Sequence, residues 1–502
     1  MEQANEWSKP QPDASRGASV RALCYAFGCL VLLEAMMLWL CSAVAAYYGE
    51  GDALCFLLTA APCTVASLIL LAYSGRRRGL PTRRDAYLVV GCTWILFTLV
   101  GMCPLLIGHY VTGVTDAFFE IMSGFTTTGF TILPHTDGLP HGILFWRSLT
   151  QWVGGLGIVF LTLALLPAQG SSGQRLYLSE ATGVTHDKLF PKVSVMARTL
   201  WLVYVGITFA EVCLLMVGGV NMFDAVCHAF ATTATGGFST HDAGVMYWHS
   251  PFVEYVIAVF MLLSGINFTL YFLSLRGRLR QSWRDGELRW FLSSILVLTL
   301  FIALVLWRQT PMNFEEAFRK SLFQVATCHT STGFASANYT LWPSYVQLLL
   351  LFAMLSGGCT GSTSGGIKCA RLGVLWQAMR HQLRRLLHPH AECPVRMGLH
   401  MLSTSQVNGV LLFVITYLCI VFIATFVLLA CGMGVVEAVS TTISSMGNVG
   451  VAMGTCGPDY SLATLPAVAK WTLSALMLLG RLEIFGLLLI VYRPTWKNGW
   501  TW

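Results

Sequence analysis

Four short segments of this 502-residue chain set glycine among hydroxyl and amide residues between apolar runs. They are TTTGFT from Thr126 to Thr131, TGGFST at Thr235, STGFAS at Ser331 and NVGVAM at Asn448. What such segments offer chemically is oxygen: backbone carbonyls, and Thr or Ser hydroxyls, which are hard donors suited to a hard monovalent cation. Rings of carbonyls are what replaces the hydration shell of a potassium-sized ion. Glycine relieves the Cβ clash where such a strand takes unusual dihedrals.

The register of the four segments follows from the residues before them. Asp116-Ala117 stands thirteen residues before Gly129, Asp224-Ala225 thirteen before Gly237 and Glu437-Ala438 thirteen before Gly450. The third copy departs, with Lys320-Ser321 thirteen before Gly333. Each of these glycines precedes a hydrophobic and then a small residue: Phe130-Thr131, Phe238-Ser239, Phe334-Ala335 and Val451-Ala452. Gly236 and Gly447 are the competing choices in the second and fourth copies, and Gly447 stays open as an alternative to Gly450. The ion-lining residues expected are Thr127, Thr128 and Gly129; Thr235, Gly236 and Gly237; Ser331, Thr332 and Gly333; and Asn448, Val449 and Gly450. Gly/Thr packing between helices is the competing explanation; four copies in one register argue against it.

Two further features carry chemistry. SGGCTGSTSGG, Ser356 to Gly366, has five glycines in eleven residues, and each costs a helix about 1 kcal/mol relative to Ala. Lys368 follows, but GGIKC lacks the Gly-Lys-Ser/Thr ending of a Walker phosphate loop. The segment reads as a flexible loop facing water at membrane depth. Arg481 lies far inside the apolar run LSALMLLGRLEIFGLLLI. A mid-span arginine costs at least ~2.5 kcal/mol to insert, and such residues face the interior and mark ion pathways. Pairing with Glu483 is disfavoured because residues two apart on a helix do not face each other; Glu34 is a distant alternative partner. HPHAEC, His388 to Cys393, offers metal-ligand types, but no second cluster completes a four-ligand site. No HExxH, GxSxG or paired intramembrane carboxylates are present, which argues against an intramembrane enzyme.

The elements that must position these residues are membrane helices. Only 11% of the chain is charged and its mean hydropathy is +0.64, against about 25% charged in soluble domains. Ten apolar windows are expected to span: 22–48, 54–73, 86–107, 143–167, 201–220, 253–275, 290–307, 345–355, 410–431 and 467–492. The first is no cleaved signal peptide, because a polar leader precedes it. Arginines crowd alternate connections (Arg76 to Arg84, Arg276 to Arg289, Lys368 to Arg396), whereas 134–141 and 240–250 hold no Lys or Arg. That alternation puts both termini in the cytoplasm and argues against nucleic acid as the reason for the +7 charge. The sixteen cysteines sit mostly singly in apolar windows, as small hydrophobes.

Each glycine-centred segment follows a short helix of about thirteen residues, too short to span. The repeating unit is therefore membrane helix, re-entrant helix, segment, membrane helix. Two crossings per unit give all units one orientation, so four can surround a common axis. The expected fold is an all-α polytopic membrane protein with four membrane–pore–membrane repeats around a pseudo-fourfold axis, plus an N-terminal helix pair. Its expected divisions are 1–82 (leader and helix pair), 83–175, 190–280, 285–380 with the loop at 356–366, and 405–502.

SGFTTTGFT, TGGFSTHD, SLFQVATCHTSTGFA, SGGCTGSTSGGIKCARL and GRLEIF resemble the Trk/Ktr/HKT potassium transporter superfamily, most closely its Trk-type uptake subunits. The resemblance covers nearly the whole chain. It implies a potassium ion as substrate, no covalent cofactor, and a four-segment filter. It further implies a gate made of Gly357, Gly358, Gly361, Ser362, Thr363, Gly365, Gly366 and Lys368, with Arg481 beside it in the pore. A bacterial inner-membrane location, a homodimer and a cytoplasmic nucleotide-binding regulatory subunit are implied likewise. The basic connections could dock that subunit or contact anionic membrane lipid. SSMGNVGVA resembles the Ktr/HKT version as much as the Trk one. A sodium-permeable or sodium-coupled transporter is thus the alternative, and proton- or sodium-coupled symport stands open beside a passive channel.

Overall fold

The computed structural model describes residues 12–75, 83–157, 193–388, 395–397, 400–457 and 461–484. Outside them lie most of the first arginine-rich connection, most of the His388 to Cys393 stretch, and the expected spans beyond residues 157 and 484. An N-terminal hairpin of α1 (Pro12–Tyr48) and α2 (Ala53–Ser74) packs on α3 (Arg83–Gly101) and α6 (His141–Gly155). One order of elements then recurs four times among the described residues. A long helix leads to a shorter one, a non-helical segment comes next, and a second helix closes the set. The first set is α3 with the short α4 (Cys103–Ile107), α5 (Val114–Phe125) and α6. The second is α7 (Val193–Val217), α8 (Met222–Thr233) and α9 (Pro251–Ser264), continued by α10 (Phe268–Leu275) and α11 (Leu279–Trp283). The third is α12 (Gly286–Gln309), α13 (Phe314–His329) and α14 (Ser344–Ser356), continued by α15 (Cys369–Leu387). The fourth is α16 (Thr404–Ala430), α17 (Val435–Gly447) and α18 (Ala467–Arg481).

The packing is cyclic. Each of the short helices α5, α8, α13 and α17 touches the two longer helices of its own set and the closing helix of the set before it, with α18 reaching round to α5. These short helices are almost wholly buried over their later turns. The long helices turn apolar side chains outward instead, as α16 does with Leu412, Ile415, Phe422, Ile423 and Phe426. Apolar groups outside and polar groups inside suit lipid as the surrounding solvent. Among the described residues six helices are long and apolar enough to cross a membrane, and α9 with α10 makes a seventh if that pair, bent by 92°, counts as one.

Two expectations need adjusting. The window at 253–275 is not a straight span, because the chain breaks between Ser264 and Phe268, where Asn267 caps α10 by accepting from Thr269 N. In the third copy, where Lys320 stands in place of Asp or Glu, the short helix has its acidic residues one turn earlier. It is 16 residues long, so Glu315 and Glu316 occupy its first turn about one helical turn before Lys320, to which Glu316 is paired. Asp116, Asp224 and Glu437 lie in the first turns of the other three, where the helix dipole favours a negative charge.

Candidate functional site

The four glycine-centred segments share one backbone path. Thr127, Thr235, Ser331 and Asn448 are left-handed, with φ between 51° and 56°, and Gly129, Gly237, Gly333 and Gly450 have φ between 77° and 93°. The residue between each pair turns its N–H back to the carbonyl five residues earlier: Thr128 to Ser123, Gly236 to Ala231, Thr332 to Thr327 and Val449 to Ser444, all at 2.8–2.9 Å. This is the Schellman ending of a helix, normally built with glycine at the left-handed position. Here that position holds Thr, Thr, Ser and Asn, at a conformational cost of about 1–2 kcal/mol each. Gly236 and Gly447 do not have positive φ.

The same glycines bring the segments together. A Cβ on Gly129 would overlap the Gly236 carbonyl oxygen; on Gly237, that of Thr332; on Gly333, that of Val449; on Gly450, that of Thr128. The order closes on itself, so the four segments form a ring with a carbonyl at each junction. Thr127, Thr128, Thr235, Ser331, Thr332, Asn448 and Val449 are all buried there. Among the described residues no group of three His, Cys, Asp or Glu could hold a metal ion. The ring's own oxygens are carbonyls and hydroxyls.

Long-range braces, invisible in the sequence motifs, hold the ring from behind. Glu120 on α5 accepts from Thr131 Oγ1, Ile132 N and Arg147 Nε, at 2.9–3.1 Å. Arg147 reaches on to Thr131 Oγ1 and Ser239 O, both at 3.2 Å, and covers the Phe238 ring. One buried ion pair thus links the first segment to the second. Gln151 donates to Gly236 O at 2.8 Å and accepts from Phe238 N at 3.1 Å. Asn448 donates to Thr128 Oγ1 at 3.1 Å and Met477 O at 2.9 Å, tying the fourth segment to the first. Above the ring, Thr136 donates through both its N and Oγ1 to Asp242, beside His135. Partial burial would raise the Asp242 pKa, but these hydrogen bonds outweigh it and hold the carboxyl below its ordinary value.

The glycine-rich loop between α14 and α15 lies against the segment layer. Gly357, Gly361, Gly366 and Lys368 have positive φ. Gly365 N donates to Ser331 Oγ at 2.6 Å, and Thr363 Oγ1 donates to Thr233 O and Ser264 O at 3.2 Å. Gly358 closes on Ser364, whose hydroxyl lies 2.6 Å from that of Ser362. Lys368 Nζ bonds Ser364 O. Arg481 donates to Thr363 O at 2.9 Å, Gly154 O at 2.5 Å and Gly155 O at 2.7 Å, joining the loop to the end of α6. Among the described residues the two suggested acidic partners are placed otherwise: Glu483 pairs with Arg371, and the buried Glu34 carboxylate has no hydrogen-bond partner there. The structure therefore brings the loop, Arg481 and the third segment into one connected group.

Residues 64–495 match the family described as TrkH, cation transport protein. The chain belongs to the TrkH family. It is 37% identical over 483 residues to the Trk system potassium uptake protein TrkH of Salmonella typhimurium, covering 95% of this chain and 99% of that protein. The Trk system potassium uptake protein TrkG of Escherichia coli is 32% identical over 95% of this chain and 99% of its own length. Among solved structures, that of the potassium transporter TrkH from Vibrio parahaemolyticus superposes with a TM-score of 0.85 at 33% identity, covering 95% of this chain and 99% of that one. The TrkH-family fold thus extends over nearly the whole sequence.

Proposed function

We propose that this chain is a potassium-uptake subunit that conducts the ion through a single pore on the axis of the four segments. The observation that carries the reading is the closed ring, in which the carbonyl of Thr128, Gly236, Thr332 or Val449 stands against the glycine of the neighbouring segment. A dehydrated monovalent cation needs several oxygens at once, and a ring of carbonyls supplies them without a full negative charge that would trap the ion. Thr127, Thr128, Gly129, Thr235, Gly236, Gly237, Ser331, Thr332, Gly333, Asn448, Val449 and Gly450 act as the filter. The pore helices end on this layer, each with its partly negative terminus toward the axis.

In the same reading the loop from Gly357 to Gly366, with Lys368 and Arg481, is the gate. Its glycines leave the backbone free to move, and Arg481 places a fixed positive charge in the path beneath the filter. The pore is divided among the units at 83–175, 190–280, 285–380 and 405–502, with 1–82 as an added helix pair. Both termini face the cytoplasm of a bacterial inner membrane. The basic cytoplasmic connections contact anionic lipid and a nucleotide-binding regulatory subunit, and two chains associate as a dimer.

Rubidium uptake into proteoliposomes holding the purified chain tests the reading, with sodium and potassium as competitors. Potassium is expected to compete and sodium to compete weakly. Equal competition by sodium would favour the sodium-permeable alternative, to which the likeness of SSMGNVGVA to the Ktr/HKT version points. Absence of any cation flux from well-folded protein, with or without a cytoplasmic activator, would remove the proposal.

A further inference from the structure

The second segment departs from the others at one position. The residue before the central glycine is Thr128, Thr332 or Val449 in three segments and Gly236 in the remaining one. In the first and third, its hydroxyl pairs with a threonine two residues earlier, Thr126–Thr128 at 2.8 Å and Thr330–Thr332 at 2.7 Å. The second segment has Ala234 and Gly236 there and supplies neither hydroxyl. Its backbone does not demand glycine, because φ at Gly236 is not positive. What excludes a side chain is Gln151: a Cβ on Gly236 would lie 2.5 Å from Gln151 Cδ and 2.7 Å from its Oε1.

Gln151 is itself the odd member of its set. It is the eleventh residue after the N-cap of α6, Pro140. Counting eleven from Ser250, Pro343 and Pro466, the N-caps of α9, α14 and α18, gives Met261, Met354 and Met477. All four side chains are fully buried. Three closing helices carry a thioether at this level, and the one that carries an amide stands against the one segment that lacks a side chain. Its hydrogen bonds to Gly236 O and Phe238 N bracket Gly237.

We propose that Gln151 is a positioning and ion-specificity residue of the second filter segment, occupying the place of the side chain that Gly236 lacks. The proposal rests on the filter reading and adds to it a residue from a different unit. The amide fixes the backbone on both sides of Gly237. It also takes one lone pair of the Gly236 carbonyl, so that this oxygen presents a weaker field to an ion than its three counterparts. The ring is fourfold in backbone path and asymmetric in ligand strength.

A double-mutant cycle tests this, read as folded yield and as the rubidium-over-sodium uptake ratio per monodisperse molecule in proteoliposomes. Gln151→Met keeps the volume used at the three related positions and removes both hydrogen bonds. It is expected to fold and to lower the ratio about tenfold. Gly236→Thr alone is expected to lower both folded yield and ratio, and Gln151→Ala in the same chain to recover most of the folded yield, while the ratio stays at or below that of Gln151→Met. If Gly236→Thr alone does not fold, recovery of monodisperse protein in the double variant reads the same contact. Gly237→Ser meets the Thr332 backbone instead, so Gln151→Ala should not rescue it. Additive effects of Gly236→Thr and Gln151→Ala on folded yield would overturn the proposal. So would an unchanged ratio in Gln151→Met while Gly237→Ser still alters it. If Gly237→Ser also leaves the ratio unchanged, the filter reading falls and the proposal with it.

Discussion

Arg481 ties together parts of the chain that are far apart in sequence, and its replacement by alanine or lysine separates its electrostatic and hydrogen-bonding roles. Its guanidinium stays charged under almost any condition. A cation passing about 6 Å away, at an effective dielectric of about 20, meets a barrier of about 3 kcal/mol, which is roughly a hundredfold in rate. Its hydrogen bonds to Thr363 O, Gly154 O and Gly155 O also hold the loop against α6. Such bonds to a charged donor contribute about 1.5–3 kcal/mol each when undisturbed. In the proposed gate both effects oppose resting conduction. Arg481→Ala is therefore expected to raise resting rubidium flux by one to two orders of magnitude (about 10- to 100-fold) and to weaken dependence on a cytoplasmic activator. Arg481→Gln should behave similarly. Lysine should fall between, because it keeps the charge and loses the forked geometry. The acceptors at Thr363, Gly154 and Gly155 are neutral carbonyls, so none of the three is left as a buried unpaired charge, and the variants are expected to fold. Flux into proteoliposomes per monodisperse molecule is the measurement. A well-folded Arg481→Ala protein with unchanged or reduced flux would refute the argument.

In the fourth segment, Gly450→Ser is expected to degrade potassium-over-sodium preference severely, since its Cβ would overlap the Thr128 carbonyl. Gly447→Ala should be the milder change, because its Cβ would be crowded rather than overlapping, with Val449 Cγ2 at 3.1 Å and Met354 O at 3.3 Å; a larger effect at Gly447 in competitive uptake would reverse the register. Gly361→Ala strains a residue with φ of 76° beside Asn267, at about 1 kcal/mol. It should shift activation of flux about fivefold with ion preference unchanged, and a changed preference would assign that part of the loop to the filter. Asp242, held below its ordinary pKa by Thr136 and His135 against the opposing effect of burial, contributes stability that is present above its unfolded pKa and lost as pH falls through the lower folded value. The melting-temperature difference between wild type and Asp242→Asn should therefore persist from neutral pH and shrink below about pH 4; a difference growing on acidification would contradict this sign.

What the sequence made legible was local. A run of hydroxyl residues before glycine, after a short amphipathic helix, dictates its own backbone path, so Thr127 to Gly129 and its three counterparts could be aligned without coordinates. Contacts between distant residues left no such mark. Glu120 and Arg147 are read as ordinary charged residues until the fold places them 2.9 Å apart, and Arg481 bonds the carbonyls of Thr363, Gly154 and Gly155, which no side-chain pattern announces. Gln151 carries a signal in its spacing: eleven residues after the cap of its helix, it stands where the three other closing helices have methionine.

The broken helix shows the opposite case. The stall after Ser356 stands out because of its glycines, yet the other closing helices stop at the same level. Helices α6 and α18 end at Gly155 and Arg481, and α9 ends at Ser264 before a sharp bend. Ending there is a property of the frame, shared by all four units. The units differ at and after that end: a glycine-rich loop follows it in the third, and in the fourth the end is itself an arginine that bonds the end of α6 in the first. The segment layer above keeps its fourfold backbone, whereas this level is asymmetric in both length and charge. A pore that opens and closes without losing its ion preference needs a layer that can move beneath one that does not. The sequence departs from its own repeat at the level where that movement would have to occur.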